Sequence, residues 1–369
     1  MKKLKFVIIA QAITPALFPR SHRATELAKE LAKQGHDVTL YALLGKYDYT
    51  DFSKNTGVKV RNLGKSKFGL TDSDTHSNAN LCLKIFTRIF GKFIEFPDIE
   101  LIPMVRRVIK RERKIDYLIT IAFPFTIHWA TASLSLKKYF KFWVSDCGDP
   151  FMGNPFIKHP FYFKYLEKKW CRMTDYTTVP VQQAKDGYYE EFREKIKVIP
   201  QGFNFREVNL GNYIINDIPT FAYSGVVYKG HRDPEKFLEY LTTIESDFKF
   251  VVYTKSISMF ENFKQRLGDK LEIRDYIPRD QLLFELSKMD FLVNIKNNSG
   301  VQQPSKLIDY YLTNRPIIEI TSSFSEKDIF NQFLMGNYSN RMKIESLEDF
   351  KIENVANKFV ELFYQNHNK

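Results

Sequence analysis

Cysteine is scarce: Cys82, Cys147 and Cys171 are the only three in 369 residues, and they are odd in number and far apart. That excludes a disulfide framework and a CxxC-type metal site, and it fits a reducing, cytoplasmic setting. No apolar run approaches the roughly 18–20 residues needed to span a bilayer. The opening MKKLKFVIIAQAITPALFPR superficially resembles a signal peptide, but Gln11, Thr14 and Pro15 interrupt its apolar run. Lys5–Ala10 therefore reads as a buried strand feeding a helix. After that strand stands QAITPALFPRSH rather than GxGxxG, which argues against a dehydrogenase-type dinucleotide site. Internal repeats, low-complexity tracts and long linkers are also missing.

What is present is a folded, aromatic-rich chain, 44% hydrophobic and 15% Phe, Trp and Tyr. Its length suggests two domains of roughly 100–200 residues each. The formal charge of +12 is unevenly placed: residues 1–202 carry 34 Lys and Arg against 20 Asp and Glu, and residues 203–369 carry 21 against 23. A basic half beside a near-neutral half points to one domain meeting an anionic surface such as a membrane. The sequence pI of about 9.3 alone suggests nucleic acid, but no recognised nucleic-acid module is present and no such partner is expected.

Short apolar runs alternate with helical patterns. Strands are expected at Lys5–Ala10, Asp37–Leu43, Val58–Leu63, Tyr117–Phe123, Phe142–Ser145, Thr177–Pro180 and Lys197–Pro200. Helices are expected at Ser21–Gln34, after Pro103, and at 124–138, 160–173 and 181–191. Such alternation, with strands apolar throughout, predicts parallel sheets covered on both faces. Residues 81–96, LCLKIFTRIFGKFIEF, set Lys84, Arg88 and Lys92 opposite an apolar stripe, which suits either an interfacial helix or a surface helix covering the sheet. The alternation pauses near 202–218 and resumes with strands at 220–226, 249–254, 271–275 and 290–295 separated by helices at 234–245, 259–267 and 279–288; closing helices are expected within 345–367.

Three stretches carry candidate chemistry. In Gly300–Ile320, Pro304 and Ser305 mark a helix start, Leu307, Ile308, Tyr311 and Leu312 repeat at helical spacing, and Asn314 before Arg315-Pro316 is a stop. The first turn of such a helix offers unpaired N–H groups, Lys306 adds a positive charge, and Asp309 shares their face, an arrangement suited to a diphosphate and a ribose. An ordinary amphipathic helix packed on a sheet fits the same pattern. VSDCGDPFMGNP, at the carboxyl end of a strand, makes Asp146 and Asp149 candidates for a general base, or for turn-forming hydrogen bonds. Ser21-His22-Arg23 falls at the same sheet edge, where His22 is a candidate to orient a substrate and Arg23 to contact an acceptor's anionic group.

Taken together and in order, RATELAKELAKQGHDVTLY, KIKVIPQGFN, FAYSGVVYKGHRDPEKFLEYL, LEIRDYIPRDQLLFELSKMDFLVNI and PSKLIDYYLTNRPII resemble the glycosyltransferases of the GT-B fold, in particular the large retaining group numbered family 4. The resemblance covers nearly the whole chain. It implies two Rossmann-like α/β domains facing each other across a cleft: an acceptor domain, 1–202, on which a C-terminal helix 352–369 packs back, and a nucleotide-sugar domain, 203–351. It further implies metal-independent transfer from a UDP- or GDP-sugar to a glycan or lipid-linked hydroxyl in polysaccharide biosynthesis, with no cofactor. Carried over by position, Ser305 and Lys306 hold the diphosphate, Asp309 the ribose, Lys229 and Arg232 the charge on the leaving group, and Tyr276 and Ile277 the base. The chain departs from the family in having Val301 where an acid contacts the transferred sugar, and Asp309 in place of the longer glutamate. Gln302, Gln303 or Asn297 stand nearby for the sugar hydroxyls. Two other readings share this fold: a nucleotide-sugar 2-epimerase, with His231 near the site, and a non-catalytic scaffold, which Val301 favours.

Overall fold

The computed structural model describes residues 2–16, 18–68, 90–91, 93–134, 136–154, 157–206, 208–230, 232–296, 306–343 and 347–367. Two compact units result: Met1–Phe203 together with Glu348–Lys369, and Asn204–Leu347.

The first unit is built on a parallel sheet ordered β3-β2-β1-β4-β5-β6-β7. Its strands are β1 (Lys5–Ile9), β2 (Asp37–Ala42), β3 (Lys59–Asn62), β4 (Ile115–Ile121), β5 (Phe140–Asp146), β6 (Tyr176–Val179) and β7 (Ile196–Val198). Its helices are α1 (Pro19–Lys33), α2 (Thr50–Thr56), α3 (Leu101–Arg111), α4 (Thr126–Ala132), α5 (Leu136–Tyr139), α6 (Phe163–Met173) and, after the second unit, Ile352–His367. Strands such as FVII and ITI are apolar on both sides because each side faces a helix layer. One layer packs α3, α4 and α6 around Trp129, Trp143 and Trp170. The other packs α1 and the Ile352–His367 helix around Leu27, Leu31, Val355, Phe359 and Phe363. Tyr117, on β4, donates its hydroxyl to the Phe359 carbonyl at 3.0 Å, and Gln34 bonds Asn357 at 3.0 Å.

The second unit repeats the scheme with order β10-β9-β8-β11-β12: β8 (Thr220–Ser224), β9 (Lys249–Tyr253), β10 (Leu271–Arg274), β11 (Phe291–Ile295) and β12 (Ile317–Ile320). Its helices are α7 (Glu235–Leu241), α8 (Ser258–Leu267), α9 (Arg279–Leu286), α10 (Lys306–Leu312) and α11 (Lys327–Leu334), so the closing Ile352–His367 helix is α12. Phe221, Phe237, Phe250, Phe291 and Phe330 fill one side of the sheet, and Leu286, Leu292, Tyr310 and Ile317 the other. In each sheet the order reverses once, between β1 and β4 and between β8 and β11. At these two points the loops leaving neighbouring strands part to opposite faces and open a crevice at the carboxyl edge, which is where ligands of such sheets bind.

Differences from the expected elements have local causes. Residues 181–191 form two 3-10 turns, Gln182–Gly187 and Glu190–Lys195, rather than a helix. Gly187 ends the first against Pro150, where a Cβ would lie 2.4 Å from the proline Cγ. α2 buries no residue, so it leaves no apolar period to read. α11 has only two turns, anchored by Phe330 and Phe333. Asn314 takes φ +58°, the left-handed stop that its place before Arg315-Pro316 predicts.

Candidate functional site

At the crevice of the second unit, β8 ends in Ser224-Gly225. Tyr310, one turn into α10, pins that end: its hydroxyl accepts the Ser224 N–H at 2.7 Å. Gly225 has φ +136°, and a Cβ there would sit 3.4 Å from the Tyr223 hydroxyl and 3.7 Å from Lys306 Cδ. Lys306 opens α10 and lays its ammonium over the Tyr223 ring, 4.2 Å from the centroid, with the Tyr310 ring at 5.9 Å. The Nζ is buried and has no hydrogen-bond partner among the described residues. Burial, and then the charge of Arg232, hold its pKa well below the lysine range, with Glu319 opposing them. A buried ammonium resting on ring faces is costly until an anion joins it.

Arg232 reaches this place by a reverse turn. The backbones of Tyr228 and Arg232 bond each other at 3.1 and 3.0 Å, and Arg232 Nη1 donates to the Val226 carbonyl at 3.2 Å. The turn brings Arg232 back under the β8 end and leaves Lys229 exposed at its tip. Of the two residues, Arg232 is therefore the one that shares the Lys306 environment.

Asp309, three residues after Lys306, receives Arg279 on one oxygen: Nη2 lies 2.6 Å and Nε 2.8 Å from Oδ1. Arg279 opens α9 and has no counterpart in the sequence reading. Tyr276 is exposed with Lys255 Nζ 5.2 Å from its ring centroid, whereas Ile277 packs into the cluster around Leu286 and Tyr310. Both precede α9 at the carboxyl edge. Val301, Gln302, Gln303 and Ser305 lie outside the described residues, as do His231, Asn297 and most of the 81–96 stretch with Lys84, Arg88 and Lys92.

In the first unit the carboxyl edge gives a different picture from the sequence reading. Asp146 is 1% exposed. Arg20 Nη2 bonds its Oδ2, Arg23 donates from Nη2 at 3.0 Å and from Nε at 3.2 Å, and Thr178 Oγ1 donates at 2.7 Å. Burial alone would raise this pKa; Arg20 and Arg23 outweigh it and hold the carboxylate below its usual range. A sealed and saturated carboxylate held below its usual range does not take a substrate proton, so the general-base role expected of Asp146 is withdrawn. Arg23, at 2% exposure, is equally unavailable to an acceptor: besides Asp146 it bonds the Pro200 and Ile199 carbonyls and lies over the Phe359 ring at 5.0 Å. The pair ties α1, β5, β7 and α12 together. Asp149 and His22 remain half-buried near this edge.

A carboxyl that the sequence reading passed over does titrate in the useful range. Asp98 lies in the 3-10 turn Asp98–Glu100 ahead of α3, and Gln11, which follows β1, donates to its Oδ1 at 3.3 Å. Burial, then the charge of Glu95, raise its pKa to about 7. A group poised near neutrality at a sheet's carboxyl edge suits proton transfer. The sign of its stability effect follows. In the unfolded chain an aspartate titrates near about 3.9, so the folded state binds more protons between that value and about 7. Stability therefore falls as pH rises through this window. Asp98→Asn is expected to raise the thermal midpoint relative to wild type at pH 8, with the advantage vanishing near pH 4; a pH-independent difference would contradict the assignment.

Buried below this edge, His128 Nδ1 bonds Thr120 at 2.8 Å and its Nε2 meets Cys147 Sγ at 3.4 Å. Burial lowers the histidine to about 3 and raises the thiol to about 12. That is a structural polar core, not a nucleophile pair.

No protein-family profile matches this sequence, and no curated protein matches it. Solved structures do. A glycosyltransferase from Rickettsia africae ESF-5 aligns over 99% of this chain and 99% of its own, at 12% identity and a TM-score of 0.62. HepE of Anabaena, solved in complex with UDP, aligns over 98% of this chain and 100% of its own, at 10% identity and a TM-score of 0.63. A putative UDP-N-acetylglucosamine 2-epimerase from Listeria monocytogenes aligns over 100% and 97%, at 13% identity and a TM-score of 0.55. These likenesses show the fold, which is GT-B with two Rossmann-like α/β units.

Proposed function

We propose that this chain is a glycosyltransferase that takes a nucleoside-diphosphate sugar as donor and moves the sugar to a hydroxyl of a glycan or lipid-linked acceptor, with retention and without a metal. The observation that carries this reading is the buried, unpartnered ammonium of Lys306 beside Arg232, at the crevice between β8 and β11. Breaking the bond between the sugar C1 and the diphosphate oxygen leaves negative charge on the diphosphate. Two fixed cations in a desolvated site stabilise that charge in the way a metal does in other enzymes. Support comes also from HepE, whose structures hold UDP and UDP-glucose. Titration with UDP and GDP tests the binding half of the reading. Incubating the protein with a bound nucleotide sugar tests the other half: transfer requires an added acceptor, whereas an epimerase changes the sugar without one. Binding of neither nucleotide would remove this reading and favour the non-catalytic scaffold.

The lipid-linked acceptor rests on the first unit. Its charge excess of 34 basic against 20 acidic residues in 1–202 accompanies an exposed aromatic ridge: Phe161 is 72% and Tyr165 62% exposed, and Ile157 and Phe93 are exposed as well. Tyr162 ties the ridge to the 90–94 segment by donating to the Phe93 carbonyl at 2.5 Å. Aromatic rings flanked by Lys158 and Lys164 suit the interface of an anionic bilayer, and among the described residues no helix is long and apolar enough to cross one. Binding to vesicles containing anionic lipid is expected to drop by roughly a hundredfold or more for Phe161→Asp combined with Tyr165→Asp, since each of the two rings contributes on the order of 1.5–3 kcal/mol when buried. Flotation that is unchanged by these substitutions would remove the ridge from the account.

A further inference from the structure

Two polar residues interrupt strands that are otherwise apolar, Asn294 in FLVNI and Glu319 in IIEI. The strands pair in parallel with Asn294 opposite Glu319, so both side chains leave the sheet on the same side. Asn294 Nδ2 donates to Glu319 Oε2 at 2.9 Å, and Lys296 Nζ lies 3.3 Å from Oε1. The Glu319 carboxylate is thus held in place by two neighbours while part of it stays accessible.

Around it, hydrogen-bonding capacity goes unused. Asn294 is 1% exposed, and among the described residues its Oδ1 has no donor. The buried Tyr311 hydroxyl has no partner among them, and neither does Lys306 Nζ. Glu319 acts electrostatically on both, on Tyr311 after burial itself and on Lys306 against burial and Arg232. Native proteins leave few such atoms unsatisfied. Three of them near one carboxylate, an acceptor, a hydroxyl and a cation, describe the complement of a ligand that donates hydrogen bonds and also bears negative charge. A bare phosphate would satisfy Lys306 but be repelled by Glu319. An uncharged polyol would leave Lys306 unpaired. A sugar attached to phosphate meets both demands.

We propose that Glu319, braced by Asn294 and Lys296, reads hydroxyl groups of the transferred sugar. This inference rests on the donor reading of the Lys306 site, and its test separates the two. Affinities of UDP and UDP-glucose, and of GDP and GDP-mannose, are measured by calorimetry for wild type, Glu319→Gln and Lys296→Ala.

For whichever pair binds wild type, Glu319→Gln is expected to weaken the sugar nucleotide roughly 10- to 100-fold, the range for losing a hydrogen bond to a charged group. The free diphosphate should bind as before or more tightly, which also shows that the variant is folded. Lys296→Ala, at an exposed position, should shift the same ratio in the same direction by less. An unchanged ratio in both variants overturns the proposal and leaves Asn294 and Tyr311 as partners of an internal water only, with the donor reading intact. Equal weakening of diphosphate and sugar nucleotide makes Glu319 a counter-charge for Lys306 and also overturns it. If wild type binds none of the four, the donor reading falls and this proposal with it.

Discussion

Replacing Lys306 with methionine is expected to weaken nucleoside-diphosphate binding by roughly 10²–10³-fold while making the folded protein more stable. The two effects share one cause. In the free protein the ammonium is buried against Tyr223 and Tyr310 with no hydrogen bond, so it adds a desolvation penalty that methionine, of similar length and apolar, does not carry. With the ligand bound, the same ammonium meets phosphate oxygens, and losing one such preorganised donor lowers binding or turnover by roughly 10²–10³-fold. A residue kept solely for packing would behave in the opposite way, losing stability and leaving affinity alone. Proton linkage gives a second signature. Burial and Arg232 depress the Lys306 pKa in the free state, and a bound anion raises it, so binding takes up a proton in the window between the two values. Affinity therefore falls as pH rises through that window, by up to about tenfold per pH unit for one proton. The slope is expected to vanish in Lys306→Met.

The second large effect concerns folding. Asp146→Asn is expected to leave little folded protein, because it removes the negative charge shared by the buried Arg23 guanidinium and the partly buried Arg20 guanidinium. Breaking a buried ion pair from one side costs about 3–5 kcal/mol, a large part of the roughly 5–15 kcal/mol that holds a domain together. Arg20 and Arg23 both point at this carboxylate, and Arg23 also secures the Ile199 and Pro200 carbonyls beyond β7. The penalty therefore spreads across four elements. Denaturant unfolding measures it. An Asp146→Asn protein that unfolds at the wild-type midpoint but has lost transfer activity would restore the catalytic role withdrawn above.

Asp146 illustrates how far the sequence is legible. Strand ends, the alternation of elements and the cover on both sheet faces follow from apolar runs in which every residue meets a layer, as in FVII of β1 or FVVY of β9, and those signals are local. The partners of a charged residue are not. Asp146 sits in a Gly- and Pro-rich loop at a carboxyl edge, just where a functional acid is expected, yet Arg23 finds it across 123 positions of chain and turns it into a fastener. Nothing within either segment announces that pairing. The converse holds for Asp98, whose importance depends on burial beside Gln11 and Glu95 rather than on any motif.

The strand interruptions at Asn294 and Glu319 were readable in principle, since a charge within a strand buried on both faces needs a reason. Their significance rests on register, because only a parallel pairing that sets 294 against 319 makes them one group. Lys306 is the case in which both levels agree. Its place at the start of a helix after a polar loop suggested an anion, and its burial over two tyrosine rings gives the physical reason for one. Arg232 joins it through a turn whose geometry the sequence did not reveal, while Lys229, equally basic, is left at the tip.

The central claim is that the crevice between β8 and β11 is an anion site completed by a nucleoside diphosphate. Calorimetric titration of UDP and GDP into wild type and Lys306→Met, in two buffers of different ionisation enthalpy, tests it most directly. The account predicts that at least one nucleotide binds wild type with net proton uptake and that it binds the variant at least about 100-fold more weakly, without proton uptake. Binding of equal strength to both proteins, with no buffer dependence in either, would contradict it.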